Sequence, residues 1–200
     1  MILKYISINR GVFFYFYDII NQKNKRGTKM REIKTLIDEA IIQKRVEELA
    51  EKILKDYEGK DFTLICILKG SAFFTVDLAK KMNKDIRIEF MKVHSYGENT
   101  VSSGEIALEL EVTGNIEGKN VIVVEDIVDT GRTLSYLVEY LETKKPESVK
   151  ICALLNKPER REVEIDVDYI GFDIPNKFVV GYGLDFNQDY RSLPYVGYIE

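Results

Sequence analysis

The 200-residue chain has few cysteines and no excess of positive charge, and each of these scarcities argues against a class of protein. It has two cysteines, Cys66 and Cys152, each inside an apolar run, so we expect reduced core thiols and no disulfide framework. With 29 Lys plus Arg against 33 Asp plus Glu, the net charge of −4 offers no strong basic field to nucleic acid or an anionic membrane. We therefore expect a cytoplasmic protein with no nucleic-acid and no membrane partner.

Common cofactor and metal motifs are missing as well. The chain contains neither G-x-x-x-x-G-K-[ST] nor G-x-G-x-x-G after a strand, which argues against nucleoside triphosphatases and dinucleotide-binding proteins. His94 is the only histidine, and no cysteine cluster accompanies it, so a zinc site is not expected. There is no internal repeat, low-complexity tract or linker, and 200 residues fit one domain.

The first 29 residues differ in composition from the rest. Val12 to Ile20 is apolar and aromatic, but it is shorter than the about 20 residues that span a bilayer. It is also not followed by the small-residue cleavage site of a signal peptide. We expect residues 1–29 to be an N-terminal extension or a misassigned start, with Met30 as the true start, and residues 30–200 to form a single domain. A genuine N-terminal arm is the alternative.

Helical periodicity occurs in three segments. Apolar residues that step by four, three and four predict a helix with one buried stripe, beginning at a capping Asp38. The members of this stripe are Ile42, Val46, Leu49 and Ile53. A short helix is predicted over Phe73 to Met82, and a third helix carries the apolar face of Leu134 to Leu141.

Strand patterns alternate with these helices. Contiguous apolar runs at Phe62 to Leu68, Val121 to Val124 and Val149 to Leu155 predict strands that are buried on both faces. Ile86 to Phe90 and Ile106 to Val112 alternate apolar with polar residues, which predicts strands with one wet face. Strand–helix–strand connections between buried strands imply parallel pairing. The predicted fold class is therefore α/β, with a central, mainly parallel sheet flanked by helices.

The most informative segment is E-D-I-V-D-T-G-R-T, Glu125 to Thr133, between a buried strand and a helix. Its backbone amides and the hydroxyls of Thr130 and Thr133 can hold a phosphate at the helix N-terminus, and Gly131 lets the backbone come close. The two adjacent carboxylates at its start suit the vicinal diol of a ribose. The segment therefore predicts a ribose-phosphate site. A plain helix cap at Thr130 or Thr133 is the alternative.

This segment resembles the motif that binds 5-phosphoribosyl 1-pyrophosphate (PRPP) in type I phosphoribosyltransferases. Four more segments, in matching order, resemble the bacterial hypoxanthine-guanine branch of that family: Ile67–Phe74, His94–Gly97, Leu154–Arg161 and Gly171–Phe186. The resemblance covers Met30 to Glu200. It implies the type I phosphoribosyltransferase fold, with a small hood formed by the chain ends. It also implies a magnesium-dependent enzyme that joins hypoxanthine or guanine to PRPP, giving IMP or GMP and pyrophosphate.

The resemblance also implies a role for each matching residue. Asp129 would be the general acid/base at the purine imidazole nitrogen. Lys157 would donate to the six-oxo group, Phe178 would stack on the base, and Val179 would offer its backbone groups. The ribose and phosphate of PRPP would be held by Glu125, Asp126, Asp129, Thr130, Gly131, Arg132 and Thr133.

The pyrophosphate and the magnesium ion would be held by a second group of residues. The implied pyrophosphate contacts are Lys69, Gly70, Ser95, Tyr96 and Arg191, with Ser95 and Tyr96 on a mobile lid and a cis peptide before Lys69. The implied Mg²⁺ ligands are Asp185, Glu125 and Asp126, and Asp185 is also assigned to the purine site.

Three questions are left open by the sequence. A regulator that keeps this fold but binds DNA or RNA is the rival from another class, although it would need a basic surface. An enzyme acting on xanthine is the closer rival, because xanthine presents the same six-oxo acceptor. The resemblance suggests a homodimer or homotetramer, and no sequence feature decides between them.

Overall fold

The computed structural model describes residues 32–95 and 106–199, with the side chains of His94, Ser95 and Ile106 excepted. The interpretation of residues 1–29, the predicted lid and the role of Tyr96 therefore lie outside the described residues, as does the Ser95 side chain. The strands are β1 Ile33–Ile37, β2 Phe62–Leu68, β3 Arg87–Ser95, β4 Ile106–Leu110, β5 Asn120–Val128, β6 Ser148–Asn156, β7 Tyr169–Asp173, β8 Phe178–Val180 and β9 Val196–Ile199. The helices are α1 Glu39–Asp56, α2 Ala72–Met82 and α3 Arg132–Glu142, and Pro158–Arg160 forms a 3₁₀ turn.

The main sheet has six strands in the order β4-β3-β2-β5-β6-β7. All neighbouring pairs are parallel except β3 and β4, which are antiparallel. Cys66, Val124 and Cys152 lie side by side across the central strands and are fully buried, so both thiols are free core residues, as predicted. The expected mainly parallel sheet is confirmed.

A second, three-stranded antiparallel sheet has the order β1-β9-β8. Ile33 and Phe178 both pair with Ile199, so the first and last described strands meet in this sheet. This is the small hood that the family resemblance implies. The hood matters for the site because β8 carries Phe178 and Val179.

The predicted helices are present, but one detail of the first is wrong. The stripe Ile42, Val46, Leu49 and Ile53 of α1 is buried. Asp38 takes the N-cap position, yet its side chain makes no capping hydrogen bond within the described chain. Its main-chain carbonyl instead accepts the first helical hydrogen bond, from the amide of Ile42 at 3.0 Å. None of the described helices is long and apolar enough to cross a membrane.

Three strands differ in length from the prediction. β3 continues to Ser95, β4 stops at Leu110, and β5 runs on to Val128 although its apolar run ends at Val124. The extension of β5 follows from backbone pairing with β6, which continues through the polar residues. The two carboxylates that begin the ribose-phosphate segment therefore lie within β5, and not in the loop after it.

Candidate active site

The carboxyl ends of β2, β5 and β6 meet at one edge of the sheet, because parallel strands end at the same edge. A cavity of about 100 Å³ lies at the end of β5. Five residues of the predicted ribose-phosphate site line it, together with apolar neighbours: Glu125, Asp129, Thr130, Gly131 and Thr133, beside Ile127, Val128 and Leu134. The structure thus gathers most of the predicted loop around one cavity.

The loop at the N-terminus of α3 is built on a glycine. Gly131 is the N-cap residue and has φ +86°, a left-handed conformation that favours glycine. A Cβ atom at Gly131 would also overlap the carbonyl oxygen of Val163. Neither Thr130 nor Thr133 occupies the N-cap position, so a plain N-cap at either threonine is wrong, although the amide of Arg132 donates to Thr130 Oγ1 at 3.4 Å. The positive end of the helix dipole therefore faces the cavity without a capping side chain on the N-cap residue.

The two adjacent carboxylates of β5 differ in exposure, since Asp126 is buried and Glu125 is half-buried. Glu125 Oε2 is buried without a hydrogen-bond partner among the described residues. Burial raises the pKa of Glu125 well above its ordinary value of 4.5, and the adjacent Asp126 raises it further. Burial also raises the pKa of Asp126, against the opposing effects of its hydrogen bonds and of Arg191. A buried acceptor of this kind suits a ligand that brings hydroxyl donors or a cation.

Replacing Glu125 with glutamine should stabilise the ligand-free protein at neutral pH. Because the pKa of Glu125 is higher in the folded than in the unfolded chain, wild-type stability should fall as the pH rises above 4.5 towards the raised value. Glu125→Gln cannot ionise, so it should lack this fall and should be more stable than the wild type at pH 7.5. Urea unfolding between pH 4.5 and pH 8 measures the difference. Glu117→Gln, at an exposed glutamate, is the control, and identical pH profiles for wild type and Glu125→Gln would refute the account.

Lys157 lies beside Asp129, which lines the cavity. Lys157 follows β6 and is only 6% exposed, and its Nζ lies 3.9 Å from Asp129 Oδ2. Its amide donates to the carbonyl of Val128 at 2.9 Å, which fixes it against the end of β5. Burial lowers the pKa of Lys157, while Asp129 opposes this change. A nearly buried ammonium group beside a carboxylate is a strong, directed hydrogen-bond donor.

The hood supplies an aromatic surface. Phe178 is 53% exposed although it lies in a strand, and its ring packs edge-on against Phe186 with centroids 5.6 Å apart. An exposed, oriented ring is available for stacking. Val179 is buried, and its side chain packs in the core. Asn156 ties the segment before β8 to the end of β6, because its carbonyl accepts the amide of Ile174 at 2.9 Å.

Three of the predicted pyrophosphate residues, Lys69, Gly70 and Arg191, converge from two loops. The Leu68–Lys69 peptide is cis, as the resemblance implies, and Lys69 Nζ donates to Gln188 at 3.4 Å. Arg191 Nη2 lies 2.6 Å from Asp185 Oδ1, and Arg191 also donates to the carbonyl of Gly183. A Cβ atom at Gly183 would overlap the carbonyl of Gly70, so the two loops touch through their backbones. The structure thus brings Lys69, Gly70, Asp185 and Arg191 together.

The second contact of Gly70 joins this group to β5. A Cβ atom at Gly70 would overlap the carboxylate of Asp126. Within the described residues, however, no group of three or more His, Cys, Asp or Glu side chains could hold a metal ion. Asp185 instead binds Arg191 and accepts the amide of Gln188 at 2.7 Å. The predicted set of Glu125, Asp126 and Asp185 is therefore not assembled as a protein-only metal site.

Some residues of the site were not assigned by the sequence. Arg160 Nε lies 3.0 Å from Asp129 Oδ1, and Arg161 donates both to the carbonyl of Asp129 and to Asn156 Oδ1. Gln188 receives the hydrogen bond of Lys69. The two arginines stand in the segment Leu154–Arg161 that carries the resemblance, but their partner is distant in sequence, so no spacing rule could pair them.

Comparisons with known proteins agree with this geometry. The Phosphoribosyl transferase domain family matches residues 32–187. The hypoxanthine-guanine phosphoribosyltransferase of Streptococcus thermophilus is 47% identical over 167 residues, covering 84% of this chain and 93% of that protein. A crystal structure of a hypoxanthine-guanine phosphoribosyltransferase from Bacillus anthracis is 43% identical with a TM-score of 0.79, covering 86% of this chain and all of that one. The bifunctional protein TilS/HprT of Listeria monocytogenes is 46% identical, and this chain spans 26% of its length.

A mainly parallel sheet with the segment Glu125 to Thr133 at the end of a central strand, together with a small antiparallel hood, is the architecture of the phosphoribosyltransferase class of transferases. The chain belongs to the hypoxanthine-guanine phosphoribosyltransferase family.

Proposed function

We propose that this chain transfers the phosphoribosyl group of PRPP to hypoxanthine or guanine, giving IMP or GMP and pyrophosphate, with Mg²⁺. The observation that carries this proposal is the nearly buried Lys157 beside Asp129, next to the ribose-phosphate cavity. A base with a six-oxo group offers an acceptor to this ammonium, whereas the six-amino group of adenine is itself a donor.

PRPP would be bound by the loop before α3 and by the two adjacent carboxylates of β5. The amides at the start of α3 and the hydroxyls of Thr130 and Thr133 would hold the 5-phosphate, where the helix dipole favours an anion. The Arg132 guanidinium pairs with Glu162, with Nε 2.6 Å from Oε2, so Arg132 would contribute its backbone amide to the phosphate site. The unpartnered oxygen of Glu125 would accept a ribose hydroxyl, with Asp126 beside it.

The leaving pyrophosphate would be held by Lys69, the backbone of Gly70 and Arg191. These groups already lie together through the contacts of the two loops. Mg²⁺ prefers oxygen ligands and keeps several waters, so Asp185, Glu125 and Asp126 would each contribute carboxylate oxygens alongside oxygens of PRPP. The ion would neutralise charge on the departing pyrophosphate. Ser95 and Tyr96 would close over this end and keep water from the reactive ribosyl centre.

The chemical step requires a proton to be exchanged at the imidazole nitrogen of the purine. Lys157 would hold the six-oxo group, Phe178 would stack on the ring, and Val179 would bind the base edge through its backbone. Asp129 would then exchange the proton of the imidazole nitrogen as the glycosidic bond forms, with its carboxylate between the cations of Lys157 and Arg160. We further propose that residues 30–200 form the single catalytic domain, and that the protein is cytoplasmic and a homodimer or homotetramer.

Initial rates with four bases test the proposed substrate class. With PRPP and Mg²⁺ present, hypoxanthine and guanine should each release pyrophosphate, and adenine should not. Omitting Mg²⁺ should abolish the release. A rate with xanthine equal to that with hypoxanthine would widen the substrate class, and a rate with adenine alone would refute the role of Lys157. Salt-sensitive binding of nucleic acid without any base-dependent release would favour a regulator instead.

A further inference from the structure

Two consecutive arginines, Arg160 and Arg161, contact Asp129, the first at its side chain and the second at its main chain. Arg160 Nε lies 3.0 Å from the carboxylate oxygen Oδ1, and Arg161 Nη1 donates to the main-chain carbonyl of Asp129 at 3.4 Å. Neither arginine belongs to the residues proposed above to bind the phosphate, the pyrophosphate or the base. Their contacts are made to a protein group, and so they point to a role exerted through Asp129.

The backbone that carries Arg160 is fixed against the ribose-phosphate loop. Residues Pro158–Arg160 form a 3₁₀ turn, closed by a hydrogen bond from the amide of Arg160 to the carbonyl of Lys157 at 3.1 Å. The amides of Glu162 and Val163 both donate to the carbonyl of Thr130, at 2.9 and 3.0 Å. Residues 157–163 are therefore tied to the end of β5 before Arg160, through the amide of Lys157, and to Thr130 after it.

The two carboxylate oxygens of Asp129 face different cations. Oδ1 takes the short contact with Arg160, while Oδ2 lies 3.9 Å from the nearly buried Lys157, beyond ordinary hydrogen-bond distance. Arg160 therefore sets the orientation of the carboxylate and leaves Oδ2 on the side where Lys157 meets the base. Proton exchange requires an oxygen within about 2.6 to 3.2 Å of the purine nitrogen, so this orientation matters for the rate.

We propose that Arg160 is a positioning residue, which holds the Asp129 carboxylate in the orientation that proton exchange needs. This inference rests on the function proposed above, in which Asp129 is the general acid/base. Arg160 does not serve mainly to stabilise the fold. The side chains of Arg160 and Asp129 are 47% and 38% exposed, and exposed ion pairs contribute little to stability.

Arg160→Gln should lower kcat by roughly 10-fold, because small misplacements of a catalytic group are costly. The KM values for PRPP and for hypoxanthine should stay within about twofold, and the melting temperature should not change. Arg160→Lys, which keeps the charge, should recover part of the lost kcat. Arg87→Gln is the matched control, since Arg87 is an exposed arginine at the opposite edge of the sheet, where β3 begins.

A double-mutant cycle with Asp129→Asn separates this inference from the function on which it rests. If Arg160 acts through Asp129, the double variant should be no slower than Asp129→Asn alone. Multiplying effects, or a raised KM for PRPP, would overturn the inference and show that Arg160 contacts the substrate. An unchanged or higher kcat in Arg160→Gln would overturn it too. If Asp129→Asn itself leaves kcat unchanged, the proposed role of Asp129 is what fails.

Discussion

Replacing Asp129 with asparagine should lower kcat by about 100- to 10,000-fold, the usual contribution of a general acid/base. The amide matches the carboxylate in size and still lies between Lys157 and Arg160, but it cannot take up and return a proton. The affinity for PRPP should stay close to that of the wild type, because in the proposed function backbone amides and hydroxyls would hold the phosphate. Steady-state rates with hypoxanthine, and PRPP titrations without base, measure the two quantities.

The control for this variant is Asp166→Asn, the same change at an exposed aspartate. It should leave both kcat and PRPP binding unchanged. An Asp129→Asn protein that turns over at the wild-type rate would remove Asp129 from the mechanism. A variant that loses PRPP binding in proportion to kcat would show instead that Asp129 serves the ribose-phosphate site.

Lys157→Ala should reduce kcat/KM for hypoxanthine and guanine by about 10- to 150-fold. This range corresponds to the about 1.5 to 3 kcal/mol that a hydrogen bond from a charged group contributes. The loss should fall on the base, because in the proposed function Lys157, at the end of β6, donates to the six-oxo group, whereas PRPP would be held by the loop before α3. Rates over a range of base concentrations measure the use of the base, and PRPP titrations measure the affinity for PRPP, so the two effects can be separated.

Lys60→Ala serves as the control, since Lys60 is exposed and lies just before β2 at the far edge of the sheet. It should behave as the wild type. Equal losses of base use and PRPP affinity in Lys157→Ala would mean that the lysine has a structural role. A thermal melt of each variant excludes unfolding as the cause.

The sequence predicted the elements whose burial is periodic. The stripe of α1 and the apolar run of β2 specify which faces are covered, and burial of this kind needs no knowledge of the partner. The segment Glu125 to Thr133 could also be recognised from the sequence, because a phosphate site at a helix N-terminus needs glycine and hydroxyl groups in a short, fixed order. These features are local, and the structure gathers Glu125, Asp129, Thr130, Gly131 and Thr133 around one cavity, although Glu125 and Asp126 lie within β5 and not after it.

Features that depend on backbone pairing were harder to predict. β5 continues to Val128 because Ile127 and Val128 pair with Leu155 and Asn156, and backbone hydrogen bonds form regardless of the polar side chains before them. Asp38 similarly begins α1 through its carbonyl and not through its side chain. In both cases the interaction is made by main-chain groups, and the pattern of side chains in the sequence does not predict it.

Contacts between distant loops could not be predicted at all. Gly70 lies against the carboxylate of Asp126, and Arg160 holds Asp129 across 31 residues of sequence. Such pairs arise only when the sheet brings its strand ends to one edge. The resemblance could therefore name Gly70 and Asp129, while their supporting neighbours became visible only in the fold.

The most direct test of the proposed function is to identify the product. The purified chain is incubated with PRPP, hypoxanthine and Mg²⁺, and the nucleotide and pyrophosphate are separated and quantified. We predict IMP and pyrophosphate in equal amounts, with IMP formation strongly reduced in Asp129→Asn. A folded wild-type protein that binds PRPP but forms no IMP with hypoxanthine, and no GMP with guanine, would contradict the proposed function.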